Sequence, residues 1–161
     1  MRRNPDAVFN KPGHLIRRLQ QIAVAIFVAE TKEFDITPVQ YSALLAVEMH
    51  PRIDQTTLVN IIAFDRSTIG SVVSRLESKK WIKRAAGSDD RRTKRLTITP
   101  QGRKVLRGID ASVASAQRLI LAPLRPAERP VFMSMLKRLV RINNTLSRAP
   151  LRTSPRAPRP K

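Results

Sequence analysis

The sequence predicts a mainly α-helical protein with a small β-hairpin, and residues 65 to 102 give the clearest reason. In the first part of this stretch, apolar residues recur at i, i+3, i+4 and i+7, the spacing of one buried helix face. Those residues are Ile69, Val72, Val73 and Leu76. Two short alternating segments, 82–86 and 95–99, follow on either side of a charged loop. A helix followed by a hairpin with a basic tip predicts a winged helix-turn-helix, with residues 37–99 as the winged module.

Helix-start signals place the other elements. A Thr-Pro pair suits a helix start because the Thr side chain caps free N–H groups and Pro fits the first turn. The predicted N-caps are Thr37, Asp54, Asp65 and Thr99, and Pro38 and Pro100 follow two of them. The other predicted limits are 13 to 32 for the first helix, an end before Pro51 for the second and a start near Pro126 for the last.

Two later helices carry apolar residues that need a partner surface. In the fifth helix, steps of three and four match a coiled-coil seam at Leu106, Ile109, Val113, Ala116 and Ile120. The last helix places Phe132, Met135, Leu136, Leu139 and Leu146 on one side. A symmetric dimer would cover both surfaces, so residues 13–36 and 100–148 are expected to form a helical dimerisation region. Residues 1–12 are expected to be a flexible arm, and the basic, Pro-rich residues 149–161 a disordered tail.

The charge of the chain indicates a polyanionic partner. The net charge is +19, and residues 79–107 hold eleven Lys or Arg against two Asp. The excess charge therefore coincides with the predicted hairpin, the pattern expected of a nucleic-acid interface. A basic surface that serves only solubility is the alternative interpretation.

The composition argues against several other classes of protein. Without cysteine there is no disulfide framework, no thiolate nucleophile and no Cys-based metal site. His14 and His50 are not spaced as a metal pair, and there is no Gly-rich phosphate loop, so neither an enzyme nor a cofactor or metal is predicted. The longest apolar run, residues 22–29, is too short to span a bilayer, and the first residues lack the apolar region of a signal peptide. The sequence therefore predicts a cytoplasmic protein.

The polar face of the fourth helix is the predicted DNA-reading surface. Short side chains there allow close approach to a major groove, and Arg can make a bidentate contact with guanine. The candidates for base or phosphate contacts are Ser67, Thr68, Ser71 and Arg75. Arg66 and Lys94 are expected to meet phosphates, which position the protein without reading sequence. An ordinary solvated helix face is the alternative interpretation.

The hairpin tip supplies the predicted minor-groove contact. Arg92 is expected to insert into a narrow minor groove, where the negative potential is enhanced. Asp90 would hold an Arg by a charge-assisted hydrogen bond, which explains an acid at a surface that faces DNA. A solvated hairpin Arg is the alternative for Arg92.

The residues of this stretch resemble those of the MarR family of bacterial transcriptional regulators. The resemblance is carried by the segment DRSTIGSVVSRLESKKWI, by Asp90-x-Arg92 and by Ile98-Thr99-x-x-Gly102. It implies a triangular homodimer on a palindromic operator of double-stranded DNA, with each recognition helix in a major groove and each wing tip in a minor groove. The family often has Gly where this chain has Lys80, so the end of the helix is expected to differ slightly.

A looser resemblance, in PGHLIRRLQQIAVAIF and FDITPVQYSALLAV, is to MarR regulators of aromatic-acid catabolism. It implies an effector that releases the DNA, either a small aromatic carboxylate or its coenzyme A thioester. Arg forks suit carboxylates, and His can sense charge. The candidate effector residues are His14, Arg17, Arg18, Gln21 and Tyr41, in a pocket between the first, second and fifth helices. Surface cations at a dimer edge are the alternative.

The leading hypothesis is therefore a ligand-responsive repressor. The competing hypothesis is a basic architectural or RNA-associated protein that senses nothing, which the net charge also allows. Sequence specificity discriminates them, because a repressor should prefer one palindrome over random DNA by roughly 10³ or more.

Overall fold

The computed structural model describes residues 9–86 and 94–152 and has the predicted, mainly helical fold class. It contains six α-helices, three short β-strands and two 3₁₀ turns in this part of the chain. The helices are α1 (Pro12–Glu30), α2 (Pro38–Met49), α3 (Gln55–Ile62), α4 (Arg66–Ser78), α5 (Pro100–Leu121) and α6 (Glu128–Ile142). The strands are β1 (Ile53–Asp54), β2 (Ile82–Ala86) and β3 (Lys94–Ile98), and the 3₁₀ turns are Lys32–Phe34 and Asn144–Leu146.

The predicted N-caps are confirmed. Thr37 forms a capping box with Gln40: the Thr37 hydroxyl accepts from the Gln40 N–H, and the Gln40 side chain accepts from the Thr37 N–H. Asp54 accepts the Thr57 N–H at 2.8 Å, and Thr99 accepts the Gly102 N–H at 3.0 Å. Each cap satisfies an N–H group that the first helical turn leaves without an internal partner.

The hairpin is part of a three-stranded antiparallel sheet in the order β1-β3-β2. Ile82 pairs with Ile98, and on the other side of β3 Ile53 pairs with Leu96. These four side chains are buried. The sequence predicted β2 and β3 but not β1, because two residues are too few to show an alternating pattern.

The core joins the winged module to α5. Its fully buried large side chains come from α2, α3, α4, the sheet and α5, namely Leu44, Leu58, Ile69, Leu76, Ile82, Leu96 and Ile109. The apolar face predicted for α4 is entirely buried. One continuous core therefore fixes the orientation of α4 relative to the sheet.

The predicted seam of α5 has its partner within the same chain. Ile109 and Ala116 are fully buried without any second copy, because α5 packs along α1 and also contacts α2. The expectation that the whole seam would need a dimer partner is corrected: the spacing indicates an apolar neighbour but not which chain supplies it. The face of α6 is different, since Val131, Met135, Leu139 and other large apolar residues there are exposed.

The first and last segments also differ from their predicted limits. Helix α1 begins at Pro12 and ends at Glu30, two residues before the predicted end, because Lys32–Phe34 tightens into a 3₁₀ turn. Residues 149–152, predicted to be disordered, are placed by hydrogen bonds: Leu151 pairs with Asn144, and Arg152 donates its N–H to the Asn60 carbonyl. Residues 1–8 and 153–161 lie outside the described residues. None of the described helices has the length and apolarity needed to span a bilayer.

Candidate nucleic-acid interface

The start of α4 is ordered by Asp65. One carboxylate oxygen of Asp65 accepts both the N–H and the hydroxyl of Ser67, each at 3.1 Å. These hydrogen bonds, with a smaller contribution from the charge of Arg148, hold the pKa of Asp65 below its usual value. The carboxylate therefore stays ionised at neutral pH and fixes the first turn of the helix.

The exposed face of α4 carries the predicted reading residues. Arg66, Ser67, Thr68, Ser71 and Arg75 are all exposed, while the opposite face of the helix is buried. The Ser71 hydroxyl donates to the Thr68 carbonyl at 2.7 Å, so its oxygen remains available as an acceptor. The helix thus presents short polar side chains and two guanidinium groups to solvent, the chemistry needed to approach base edges and phosphates.

Arg84 links the hairpin to α4, a contact that the sequence analysis missed. From β2, its guanidinium donates to the Ser74 hydroxyl at 2.9 Å, and its Nε lies 2.9 Å from Oε2 of Glu77. Ser74 is therefore engaged within the protein, although it belongs to the polar face of α4. This bridge holds the hairpin against α4 and fixes their relative position within the protein.

The end of α4 differs from the family pattern in residue type but not in backbone shape. Lys80 adopts a left-handed conformation with φ of 59°, which Gly normally occupies. The Lys80 N–H bonds the Glu77 carbonyl at 2.8 Å, and the Trp81 N–H bonds the Leu76 carbonyl at 3.0 Å. These are the two hydrogen bonds of a Schellman motif, so the helix ends normally despite the missing Gly.

Lys79 connects this helix end to the turn after α1. Its ammonium lies 2.6 Å from Oδ2 of Asp35 and 4.7 Å from the centre of the Trp81 ring. The hydrogen bond from Lys79, together with its charge, lowers the pKa of Asp35. Asp35 is highly exposed, so the pair contributes little stability. The pair matters for position, because it joins the end of α4 to the segment that follows α1.

The wing tip lies partly outside the described residues, and the contacts predicted for Asp90 and Arg92 stay predictions. Lys94 is described: it is exposed at the start of β3, opposite Ala86. The next residue of β3, Arg95, pairs with β1 on the other side of the strand, and its side chain lies 3.4 Å from Asp54. Burial raises the pKa of Asp54, but hydrogen bonds from Thr57 and the charge of Arg95 outweigh it and lower the pKa overall.

The predicted effector residues are only partly brought together. Arg17, Arg18 and Gln21 are exposed on one side of α1, where Arg18 donates to Gln21 at 3.1 Å. His14 packs edge-on against Phe9, with ring centres 5.2 Å apart.

Tyr41 lies apart from this cluster. It packs against the buried Phe27, with ring centres 5.9 Å apart. Phe27 is nine residues from Arg18, about two and a half helical turns, and so lies on the opposite side of α1. Within one chain, Tyr41 therefore faces a different side of α1 from Arg18.

Residues 9–86 and 94–152 contain no cluster of His, Cys, Asp and Glu suited to a metal ion. The arrangement around α4 consists of exposed cations and hydroxyls on a rigid helix beside a basic hairpin. Such groups bind an extended anion and present hydrogen-bonding groups to a groove.

Comparison with known proteins agrees with this arrangement. The model of the MarR family matches residues 34–93, which cover most of the winged module and end just before β3. A protein of Thauera aromatica, named "Putative transcriptional regulatory protein for hcr operon", is 35% identical over 130 residues, which cover 80% of this chain and 78% of that protein. The chain belongs to the MarR family. It is accordingly a winged-helix DNA-binding transcriptional regulator and not an enzyme.

Solved MarR-type structures share the fold described above. PcaV from Streptomyces coelicolor, in complex with its natural ligand, is 33% identical with a TM-score of 0.77, over 88% of this chain and 98% of PcaV. BpsR from Bordetella bronchiseptica, whose DNA binding is regulated by 6-hydroxynicotinic acid, is 27% identical with a TM-score of 0.75, over 81% of this chain and 94% of BpsR. MarR regulators bind DNA and act as dimers, as the resemblance implied.

Proposed function

We propose that this protein is a homodimeric repressor that binds a palindromic operator and is released from it by a small aromatic acid or its coenzyme A thioester. The observation that carries the proposal is the exposed polar face of α4, held by Arg84 against a basic hairpin. A second copy of this surface, related by a two-fold axis, would read the second half-site of a palindrome.

The dimer is proposed to form through residues 13–36 and 100–148. The exposed apolar residues of α6 support this, because a monomer rarely leaves so many large apolar side chains of one helix in water. An apolar groove of about 430 Å³ borders the same region, with Ile16, Leu19, Phe132 and Leu136 in its wall. Covering this groove and the α6 face with a second copy would bury both.

The effector class is inferred from relatives. DNA binding by BpsR is regulated by 6-hydroxynicotinic acid, and the PcaV structure contains its natural ligand. In this chain, Arg17 and Arg18 provide exposed guanidinium groups on α1 that could bind a carboxylate, with His14 and Gln21 beside them. Tyr41 would join such a site only if the ligand reached across α1 or if a partner subunit completed the pocket. The ligand must favour a conformation that fits DNA less well, because equal binding to both states shifts nothing.

The test of release is a DNA-binding titration with a panel of benzoates, cinnamates, nicotinates and their coenzyme A thioesters. A coupling of about 1–3 kcal/mol would lower the affinity for the operator by roughly 5–150-fold. Arg17→Ala and Arg18→Ala should keep DNA binding and lose the response. Arg107→Ala, which removes an exposed cation from α5, is the matched control and should keep both. If no compound shifts the curve, or if the α1 variants respond normally, the proposed effector site is wrong.

The competing function, a non-sensing architectural or RNA-associated protein, is supported by the net charge of +19 and by the basic C-terminal residues. Such a protein would bind random duplexes or RNA as tightly as any palindrome. The same titration, run with random DNA and with RNA in place of the operator, separates the two functions.

A further inference from the structure

The last described segment of the chain returns to the DNA-binding module. After α6, the side chain of Asn144 bonds Leu151 twice: its Nδ2 donates to the Leu151 carbonyl at 3.1 Å, and its Oδ1 accepts the Leu151 N–H at 2.9 Å. The next residue, Arg152, donates its N–H to the carbonyl of Asn60 in α3 at 3.0 Å. Residues 144–152, here called the C-terminal strap, are thus closed on themselves by the Asn144 side chain and joined to α3 by the Arg152 N–H.

The strap closes one side of a cavity at the start of the recognition helix. The cavity has a volume of about 290 Å³, and its wall includes the exposed Arg66, Arg148 and Arg152. Among the described residues of that wall, Asp65 is the only acid, and one of its oxygens already accepts the N–H and hydroxyl of Ser67. The described wall therefore holds three guanidinium groups and one carboxylate, so its charge is positive.

A positive cluster at this place is suited to DNA phosphates. Arg binds phosphate through two parallel hydrogen bonds, and its planar group is already shaped for them. A helix that enters a major groove has the phosphate backbone at its ends, where contacts position the protein without reading bases. The nine residues that follow Arg152 add Arg156, Arg159 and Lys161 and no acid to the sequence.

We propose that the C-terminal strap is a second DNA-contacting element, in which Arg148 and Arg152 join Arg66 to bind backbone phosphates next to the bases that α4 reads. The proposal rests on DNA binding by α4 and adds to it a surface outside the winged module. It also gives Asn144 a positioning role, because its side chain holds Leu151 and thereby places Arg152.

The first experiment measures how DNA affinity depends on salt. The probe is a labelled duplex of arbitrary sequence about three helical turns long, so no operator is needed, since phosphate contacts are independent of sequence. Arg148→Ala/Arg152→Ala should weaken binding and reduce the slope of log affinity against log salt by about 0.9 for each phosphate that the variant no longer neutralises. The matched control, Arg107→Ala/Arg118→Ala, removes the same charge from exposed positions on α5 and should leave the slope nearly unchanged.

The second experiment keeps every charge and releases the strap. Asn144→Ala removes both hydrogen bonds to Leu151 and should weaken binding less than the double Arg variant does. Asn143→Ala is the control, because Asn143 also makes one side-chain hydrogen bond, from its Nδ2 to the Leu139 carbonyl at 2.9 Å, but does not hold the strap. Thermal unfolding of all four variants identifies any that fails to fold, and Arg148→Gln and Arg152→Gln then replace the double variant.

The outcomes are distinct. If the double Arg variant behaves like its α5 control, the strap does not contact DNA and the proposal is overturned. If Asn144→Ala and Asn143→Ala bind the duplex with equal affinity while the double Arg variant binds weakly, Arg148 and Arg152 contribute without being held by Asn144. That result overturns the positioning role of Asn144. Tighter binding by Asn144→Ala would mean that the strap covers the interface instead of extending it. Failure of the wild-type protein to bind any duplex would instead refute DNA binding itself.

Discussion

A Cβ atom on Gly102 would lie 2.2 Å from the carbonyl oxygen of Trp81, far closer than real Cβ contacts. This close approach joins the end of α4 to the start of α5. Thr99 completes the junction, because its hydroxyl donates toward the carbonyls of Lys80 and Trp81 and accepts from the Gly102 N–H. The sequence pattern Ile98-Thr99-x-x-Gly102 therefore has a structural cause: Thr99 caps α5, and only Gly lets α5 approach this closely.

Gly102→Ala should destabilise the protein, because the added methyl group meets backbone and cannot be relieved by a side-chain rotation. The expected loss is about 1–3 kcal/mol, the range for overpacking, measured by thermal or urea unfolding. Gly70→Ala is the control, since the nearest atom to its Cβ is 3.9 Å away and Ala is favoured over Gly in a helix by about 0.5–1 kcal/mol. Equal stabilities of the two variants would contradict the packing described at this junction.

Lys80→Gly should stabilise the protein. A residue with a Cβ in the left-handed conformation loses about 1 kcal/mol or more, and Gly avoids this loss. Lys80→Ala removes the same charge and keeps the Cβ, so it should give no gain. Unfolding midpoints of the two variants make the comparison, and a gain in Lys80→Ala as large as in Lys80→Gly would assign the effect to charge.

Ser71→Ala and Arg75→Ala should relax specificity at individual base pairs of each half-site, because both residues lie on the exposed face of α4. Lys94→Ala should instead weaken binding to all sequences alike and lower the salt slope by about one, the behaviour of a phosphate contact. Affinities for the operator and for single base-pair variants test this difference. Equal shifts by all three variants on specific and random DNA would show that the groove assignment is wrong.

Arg92→Ala should weaken operator binding by about 1–3 kcal/mol with little effect on unfolding, if the predicted minor-groove contact exists. Lys83→Ala is the control, because it removes one exposed charge from β2 at a distance from the hairpin tip. Operator affinity of the Arg92 variant equal to that of the wild type would remove the minor-groove role.

Local signals in the sequence were sufficient for most of the fold. Caps such as Thr37 and Asp65 act within one helical turn, and the buried face of α4 follows from its own periodicity. The contacts that the sequence did not predict join distant segments. Arg84 reaches from β2 to Ser74 on α4, and Arg152 bonds Asn60 through its backbone, which any residue but Pro could do.

For the candidate effector residues too, the sequence predicted positions along one helix but not the packing of one helix against another. The spacing of Arg17, Arg18 and Gln21 places them on one side of α1, and the structure agrees. The position of Tyr41 relative to them depends on how α2 packs against α1, which periodicity does not specify. Tyr41 contacts Phe27 on the buried side of α1.

The most direct measurement of the central claim is selection of binding sites from a pool of random duplexes, followed by titration of the selected site and a scrambled duplex at one salt concentration. A sequence-specific regulator should select one palindrome whose half-sites are spaced by whole helical turns and bind it roughly 10³-fold or more tightly than the scrambled duplex. Selection of no common sequence, with equal affinity for both duplexes, would contradict the account and leave only a basic protein that coats nucleic acid.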